Sequence, residues 1–165
     1  MKKVKNALKS VKLHIEYNTL TKGLFNNSIS GNIYWQYNNR FFPENHWFDC
    51  VSPLLALWSN ALLNLSTGCL KKINLQFMGC PCFIRVCSNT HDCILMQFFD
   101  HEQQEYPRDE YTTDINSVLS TFFIASTRVL DWYGKNFDDA IGTSLADEML
   151  IVELNSNSLR KNLKL

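Results

Sequence analysis

At 165 residues, with 45% hydrophobic and 19% charged side chains, the chain has the size and composition of one globular domain built on a single core, and disorder or a fibrous architecture is excluded. Sixteen basic residues balance sixteen acidic ones, so the chain lacks the excess of cations with which a general nucleic-acid binder displaces counterions from phosphates. Its longest apolar runs, 54–58 and 93–96, fall far short of the about 20 residues that cross a bilayer.

The opening Met1-Lys2-Lys3-Val4-Lys5 has the charge of a secretory n-region, but Lys9, Lys12, His14 and Glu16 interrupt any apolar core behind it. A cytosolic location is expected, and with it six reduced cysteines at 50, 69, 80, 82, 87 and 93. The neutral total conceals a polarity. Residues 1–24 hold six lysines against Glu16, whereas residues 98–154 hold twelve acids against Arg108, Arg128 and Lys135.

Val11, Leu13, Ile15 and Tyr17 alternate with Lys12, His14, Glu16 and Asn18, which predicts a strand with one wet face. Ile33 to Tyr37 and Arg40 to Phe42 flank Asn38-Asn39, a pair that tolerates the positive φ of a two-residue turn, so a β-hairpin is predicted. Ser52-Pro53 offers a capping oxygen and then a proline at the first helical position. A helix over about 53–66 follows, with Leu54, Leu57, Trp58, Ala61, Leu62 and Leu65 as its apolar stripe and Gly68 beyond its end.

Three strands come next: Ile73, Leu75 and Phe77 in alternation, then 82–87, then 93–99, with a turn at Ser88-Asn89-Thr90. Short connections require antiparallel neighbours, and the run 93–99 reads as a central strand buried on both faces. Ile115, Val118, Leu119, Phe122, Ser126, Val129, Leu130 and Tyr133 then keep helical spacing, with Thr113 or Asp114 as cap and Gly134 as stop. The segment 144–154 fits a third helix better than a strand. The expectation is one α+β domain over 1–165, an antiparallel sheet of about six strands with two or three helices packed on it.

Isolated glycines cannot assemble a phosphate-binding loop or a dinucleotide fingerprint, and neither a Gly-x-Ser-x-Gly elbow nor a His-Glu-x-x-His pair occurs. The expectation is a protein that is not an enzyme and carries no cofactor. Cys80, Cys82, Cys87, His91 and Cys93 are of zinc-ligand type, but two cysteines five residues apart on a strand point to opposite faces, so buried, inert thiols are the competing reading. Cys87 and Cys93 flank a tight turn and could face each other. His14, His46, His91 and His101 are scattered, and His101 alone lies between acids, Asp100 and Glu102. Trp35, Tyr37, Phe41, Phe42, Trp47 and Phe48 could offer a stacking surface for a sugar or base, against the plainer reading of core.

The segment 100–114 carries Asp100, Glu102, Glu105, Asp109, Glu110 and Asp114, with Tyr106 and Tyr111, against Arg108 alone. Read as an exposed loop, it would steer a basic protein partner and give it tyrosine anchors; read plainly, it is a solvated connection.

Gly31-Asn-Ile-Tyr-Trp35, Phe42-Pro43, Trp47-Phe-Asp49, Leu55-Ala-Leu-Trp58, Leu62, Leu65, Leu75-Gln-Phe77-Met78, Pro81 and Ile84-Arg-Val86 together resemble the immunity proteins of contact-dependent growth inhibition and related polymorphic toxin systems. The resemblance covers about residues 11–99. Where such proteins carry Asp-Gly-Pro-aromatic, this chain reads Gly79-Cys80-Pro81-Cys82. The resemblance implies a cytosolic protein that binds the toxic C-terminal domain of a large exported effector, with no catalytic residue of its own. The partner expected is thus a cognate toxin domain with a basic active-site surface, such as a nuclease, and neither nucleic acid nor membrane. The alternatives left open are a small-ligand or carbohydrate-binding module on the aromatic hairpin, and a zinc-dependent enzyme or sensor on the 80–93 region.

Overall fold

The structure, a computed structural model, describes residues 11–23, 28–89, 93–137 and 144–163. It is α+β, with antiparallel strands, but the strands divide between two sheets of five and four rather than forming one of about six. In the first, β3 (Ile29–Tyr37) pairs with each of β1 (Lys12–Ile15), β2 (Thr21–Lys22), β4 (Arg40–Phe42) and β5 (Phe48–Cys50). Leu13 and Ile15 point into the core and Lys12 and His14 outward, as their alternation predicts. A 3-10 turn at Tyr17–Thr19 ends that strand sooner than the pattern implies. The chain just after this turn comes so close to β3 that a Cβ on Gly31 would lie 2.8 Å from Leu20 Cδ2 and 3.3 Å from the Leu20 Cα, so a side chain there would force Leu20 to shift. The predicted hairpin turns on Asn38 and Asn39, both at positive φ.

The helix α1 (Val51–Ser66) begins two residues earlier than its sequence suggests. Ser52 does not cap it. Its fully buried hydroxyl accepts the Ile29 backbone N–H at 3.0 Å and so ties the helix start to β3. Pro53 still lies in the first turn, where its missing N–H costs nothing. Leu54, Leu55, Trp58, Leu62 and Leu65 are buried, while Leu57 faces solvent, so the stripe is centred one residue away from the expected one. Gly68, at φ +76°, ends the helix as predicted.

The second sheet is a meander in the order β6 (Lys72–Gln76), β7 (Phe83–Ser88), β8 (Cys93–Phe99), β9 (Asp109–Asp114). The run 93–99 is an interior strand, as expected, but it is buried on one face only, because Cys93, Leu95 and Gln97 turn to the half-exposed outer side, and β9 is a strand where the sequence reads as a loop. A chain of rings joins the sheets and α1: Trp35 to Trp58, Trp58 to Phe77, Phe77 to Phe42, Phe42 to Phe98, and Phe98 stacked on Tyr37 at 4.0 Å. Burial of these apolar surfaces is the main stabilising term.

Asp114 caps α2 (Ile115–Asn136), its Oδ1 accepting the Ser117 N–H at 2.8 Å. The helix runs through Gly134 for two more residues instead of stopping there. The last helix, α3 (Ser144–Asn162), extends well beyond 154. Its buried stripe is Leu145, Met149, Val152, Ser156 and Leu159. Ser156 and Ser126 share a hydrogen bond at 2.9 Å between α3 and α2. Asn155 donates to Ser59 and Asn60, and Asn162 to Ser66, so α3 lies parallel to α1 with each contact 95 or 96 residues apart in sequence.

Candidate functional site: an acidic segment joined to an open sheet face

The eight residues expected at a partner surface separate into two groups. Tyr111 is 5% exposed and packs at 5.8 Å against Tyr37, because it points inward from β9. It cannot anchor a partner, and burial, with Asp114 nearby, pushes its phenol above the usual range. Asp114 is the α2 cap just described. The other six remain at the surface or half exposed.

Asp109 pairs with Arg40 on the hairpin, and Asp100 with Arg108 at 3.0 Å. Arg108 also donates to the Phe41 carbonyl and lies 5.1 Å over the Phe42 ring. Glu102 accepts from Gln76 at 2.9 Å, and Glu110 from Gln97 at 2.6 Å. Glu105 and Tyr106 are exposed, the tyrosine at 72%. The segment is therefore a folded flap held by cross-links to both sheets rather than a free loop, and its carboxylates outnumber the two arginines paired with them.

Beside it, the outer face of the first sheet carries a cluster that the sequence shows only as a wet strand face. His14 stacks on Tyr34 at 5.0 Å, and Phe41 meets the same ring in an edge-on arrangement at 5.7 Å. The Tyr34 hydroxyl donates to Glu16 Oε1 at 3.0 Å, Asn32 donates to Glu16 Oε2 at 2.9 Å, and His46 pairs with the same carboxylate. Partial burial pushes the Glu16 acid up, but the hydrogen bonds from Asn32, His46 and Tyr34 outweigh it and hold the carboxyl below its ordinary range. Burial, then the Glu16 carboxylate, pushes the Tyr34 phenol up. His46 sits at φ 59°, a left-handed backbone that non-glycine residues rarely adopt. Through Phe41 this face runs on to Arg108 and the acidic flap.

Of the other aromatic residues, Trp35, Tyr37 and Phe42 are core, so the hairpin offers no platform made from them. Phe48 is 58% exposed on the open face. Trp47 is half-buried, and its indole N–H donates to Asp49 Oδ2 at 3.1 Å. Asp49, only 4% exposed, also receives the N–H groups of Met78 and Gly79, at 3.0 Å each, and that of Cys50 at 2.7 Å. Its short distance in sequence from Trp47 gives no sign that it organises a turn 30 residues away.

The zinc-type cysteines do not converge. Cys80 and Cys82 are joined as a disulfide, contrary to the expectation of six reduced thiols, because the turn around Pro81 brings them together. Cys87 lies at the far end of β7, roughly 16 Å away by strand rise, and is opposite Leu95 instead of Cys93. His91 lies outside the described residues, as do the lysines of residues 1–10. Among the described residues no group of three or more metal-ligating side chains comes together, and no helix is long and apolar enough to cross a membrane. His101 is exposed in a turn.

No family model matches the chain, and no curated protein or solved structure matches it.

Proposed function

We propose that the chain works by binding another protein, and that the acidic flap with the adjoining surface of the hairpin at Phe41 is the contact surface. The observation that carries this is the union of the two. Glu102 and Glu110 are held by Gln76 and Gln97, Asp109 and Asp100 pair with Arg40 and Arg108, and Glu105 and Tyr106 stand exposed among them, in a flap that Arg108 joins to the backbone of partly exposed Phe41. A fixed acidic surface raises the encounter rate with a basic partner, and rigid aromatic groups anchor it at little entropic cost.

The resemblance carried by Gly31 to Trp35, Trp47 to Asp49 and Phe77-Met78 supports a finer reading. In it the chain is a cytosolic immunity protein whose partner is the toxic C-terminal domain of a cognate exported effector, and it acts by stoichiometric inhibition without catalysis. A nuclease, whose active site must be basic to hold a polyanion, is the toxin chemistry that an acidic surface complements best.

The test is co-expression with the effector domain encoded next to the chain, scored by growth and by co-purification. Rescue together with a stable complex is expected, and Glu102→Lys/Glu105→Lys/Glu110→Lys should lose both while keeping the fold. Failure of the unaltered chain to rescue or co-purify would remove the immunity reading. Rescue undiminished by the triple reversal would move the interface elsewhere.

A further inference from the structure

The turn between β6 and β7 holds two thiols in a setting that the binding surface does not use. Contacts other than the link between them also hold its shape. The Phe77 N–H donates to the Cys82 carbonyl at 3.2 Å and closes the turn, and Asp49 Oδ2 holds the Met78 and Gly79 N–H groups. Trp47 packs against it, with its Cζ2 3.2 Å from where a Cβ on Gly79 would stand. These contacts fix the Cα atoms of Cys80 and Cys82 5.2 Å apart, inside the range that a disulfide spans. Cys80 is half-buried beside the exposed Pro81, while Cys82 is 4% exposed.

Two consequences follow. Because non-covalent contacts already hold the sulfurs near each other, closing the bond needs no further ordering of chain, and opening it leaves the turn in place. Because the ring encloses so few residues, the bond removes little entropy from the unfolded chain and is a poor structural staple. A pair that is easy to close, easy to open and nearly neutral for stability has the properties of an exchange site.

We propose that Cys80 and Cys82 form a reversible dithiol–disulfide site that exchanges with small disulfides of the glutathione class. The accessible Cys80 thiolate attacks one sulfur of the small disulfide, forming a mixed disulfide and releasing one thiolate, which takes a proton. The Cys82 thiolate then attacks the Cys80 sulfur, and the second small thiol leaves. The protein dithiol loses two electrons and two protons, and one small disulfide becomes two thiols. The reverse sequence, with two reduced small thiols, restores the dithiol.

Trypsin cuts after Lys72 and Arg85, giving a peptide, 73–85, that contains these two cysteines and no others. The full-length protein would be equilibrated in glutathione buffers from fully reduced to fully oxidised, quenched in acid, alkylated and digested. The expected result is that peptide 73–85 carries two alkyl groups or none, with the change complete within the series and reversed by reduced glutathione without denaturant. The oxidised and reduced forms should melt within a few degrees of each other. In Cys80→Ser the same peptide should retain one alkylatable or glutathionylated sulfur in every buffer. Two alkyl groups in the most oxidising buffer would overturn the proposal, and so would a disulfide that yields only in denaturant. The wild-type result decides the matter even if the variant does not fold.

Discussion

Asp49→Ala is the substitution whose cost the structure defines most sharply. One carboxylate, 4% exposed, accepts N–H groups from Trp47, Cys50, Met78 and Gly79, tying β5 to the turn that leads into β7. Alanine leaves four donors without that acceptor. All four bonds are only partly buried, so water reaches some of the groups. If two amides stay dry, at about 1–3 kcal/mol for each unsatisfied donor, the loss is about 2–6 kcal/mol, which is about 4–24 °C in Tm for a chain of this length. Asp49→Asn retains one oxygen and turns an NH2 toward the remaining donors, so about half that loss is expected. Urea unfolding followed by far-UV circular dichroism gives the free energies. An Asp49→Ala loss below about 1 kcal/mol, at the ordinary range for surface changes, would show that the carboxylate does not organise the turn.

Gly31→Ala should cost about 1–3 kcal/mol, because its Cβ would meet Leu20 Cδ2 at 2.8 Å and the Leu20 backbone at 3.3 Å; a thermal melt checks this. Ser156→Ala should cost about 1 kcal/mol by leaving Ser126 without its interhelical partner, and combining it with Ser126→Ala should cost less than the two single losses added, as a double-mutant cycle would show. Glu16 has its folded pKa held below the unfolded value, so its stabilisation is present above the unfolded pKa and lost as pH falls through the folded one. Glu16→Gln should therefore be the less stable protein at neutral pH by about 1 kcal/mol or less, given how much of the network faces water, and the gap should close in acid. A gap that widened on acidification would show that Glu16 is not held ionised by its neighbours.

Elements that bury one clean face were legible in the chain. Leu13 and Ile15, the Asn38-Asn39 turn and the Val118 to Val129 stripe each carry their periodicity on the surface of the sequence. What stayed hidden depends on residues distant along the chain. The strand Asp109–Asp114 reads as a solvated acidic run because only Tyr111 and Thr113 turn inward, and its pairing partners lie on β8. The second half of α3, rich in Asn and Ser, has poor intrinsic helix propensity. There Asn155, Ser156 and Asn162 bond to Ser59, Asn60, Ser126 and Ser66, and Leu159 is buried, contacts that no local pattern announces. Ser52 looks like a cap by type and position, yet a strand N–H from Ile29 claims its oxygen.

The candidate site divides in the same way. Its charge was visible in composition, because six acids within fifteen residues need no fold to be noticed. Its boundaries were not. Tyr111 and Tyr106 look alike in sequence, but strand alternation buries one and leaves the other in water. The Glu16 cluster draws on β1, β3 and the segment before β5, and no spacing rule joins positions 14, 16, 32, 34 and 46.

If this surface recognises a basic protein, its association rate with the product of the adjacent upstream reading frame, measured across ionic strength, must carry the mark of the flap's charge. For the unaltered chain the rate should fall steeply as salt rises. Glu102→Lys/Glu105→Lys/Glu110→Lys should slow association at least tenfold at low salt and flatten that dependence. A rate indifferent both to salt and to the triple reversal would contradict the claim.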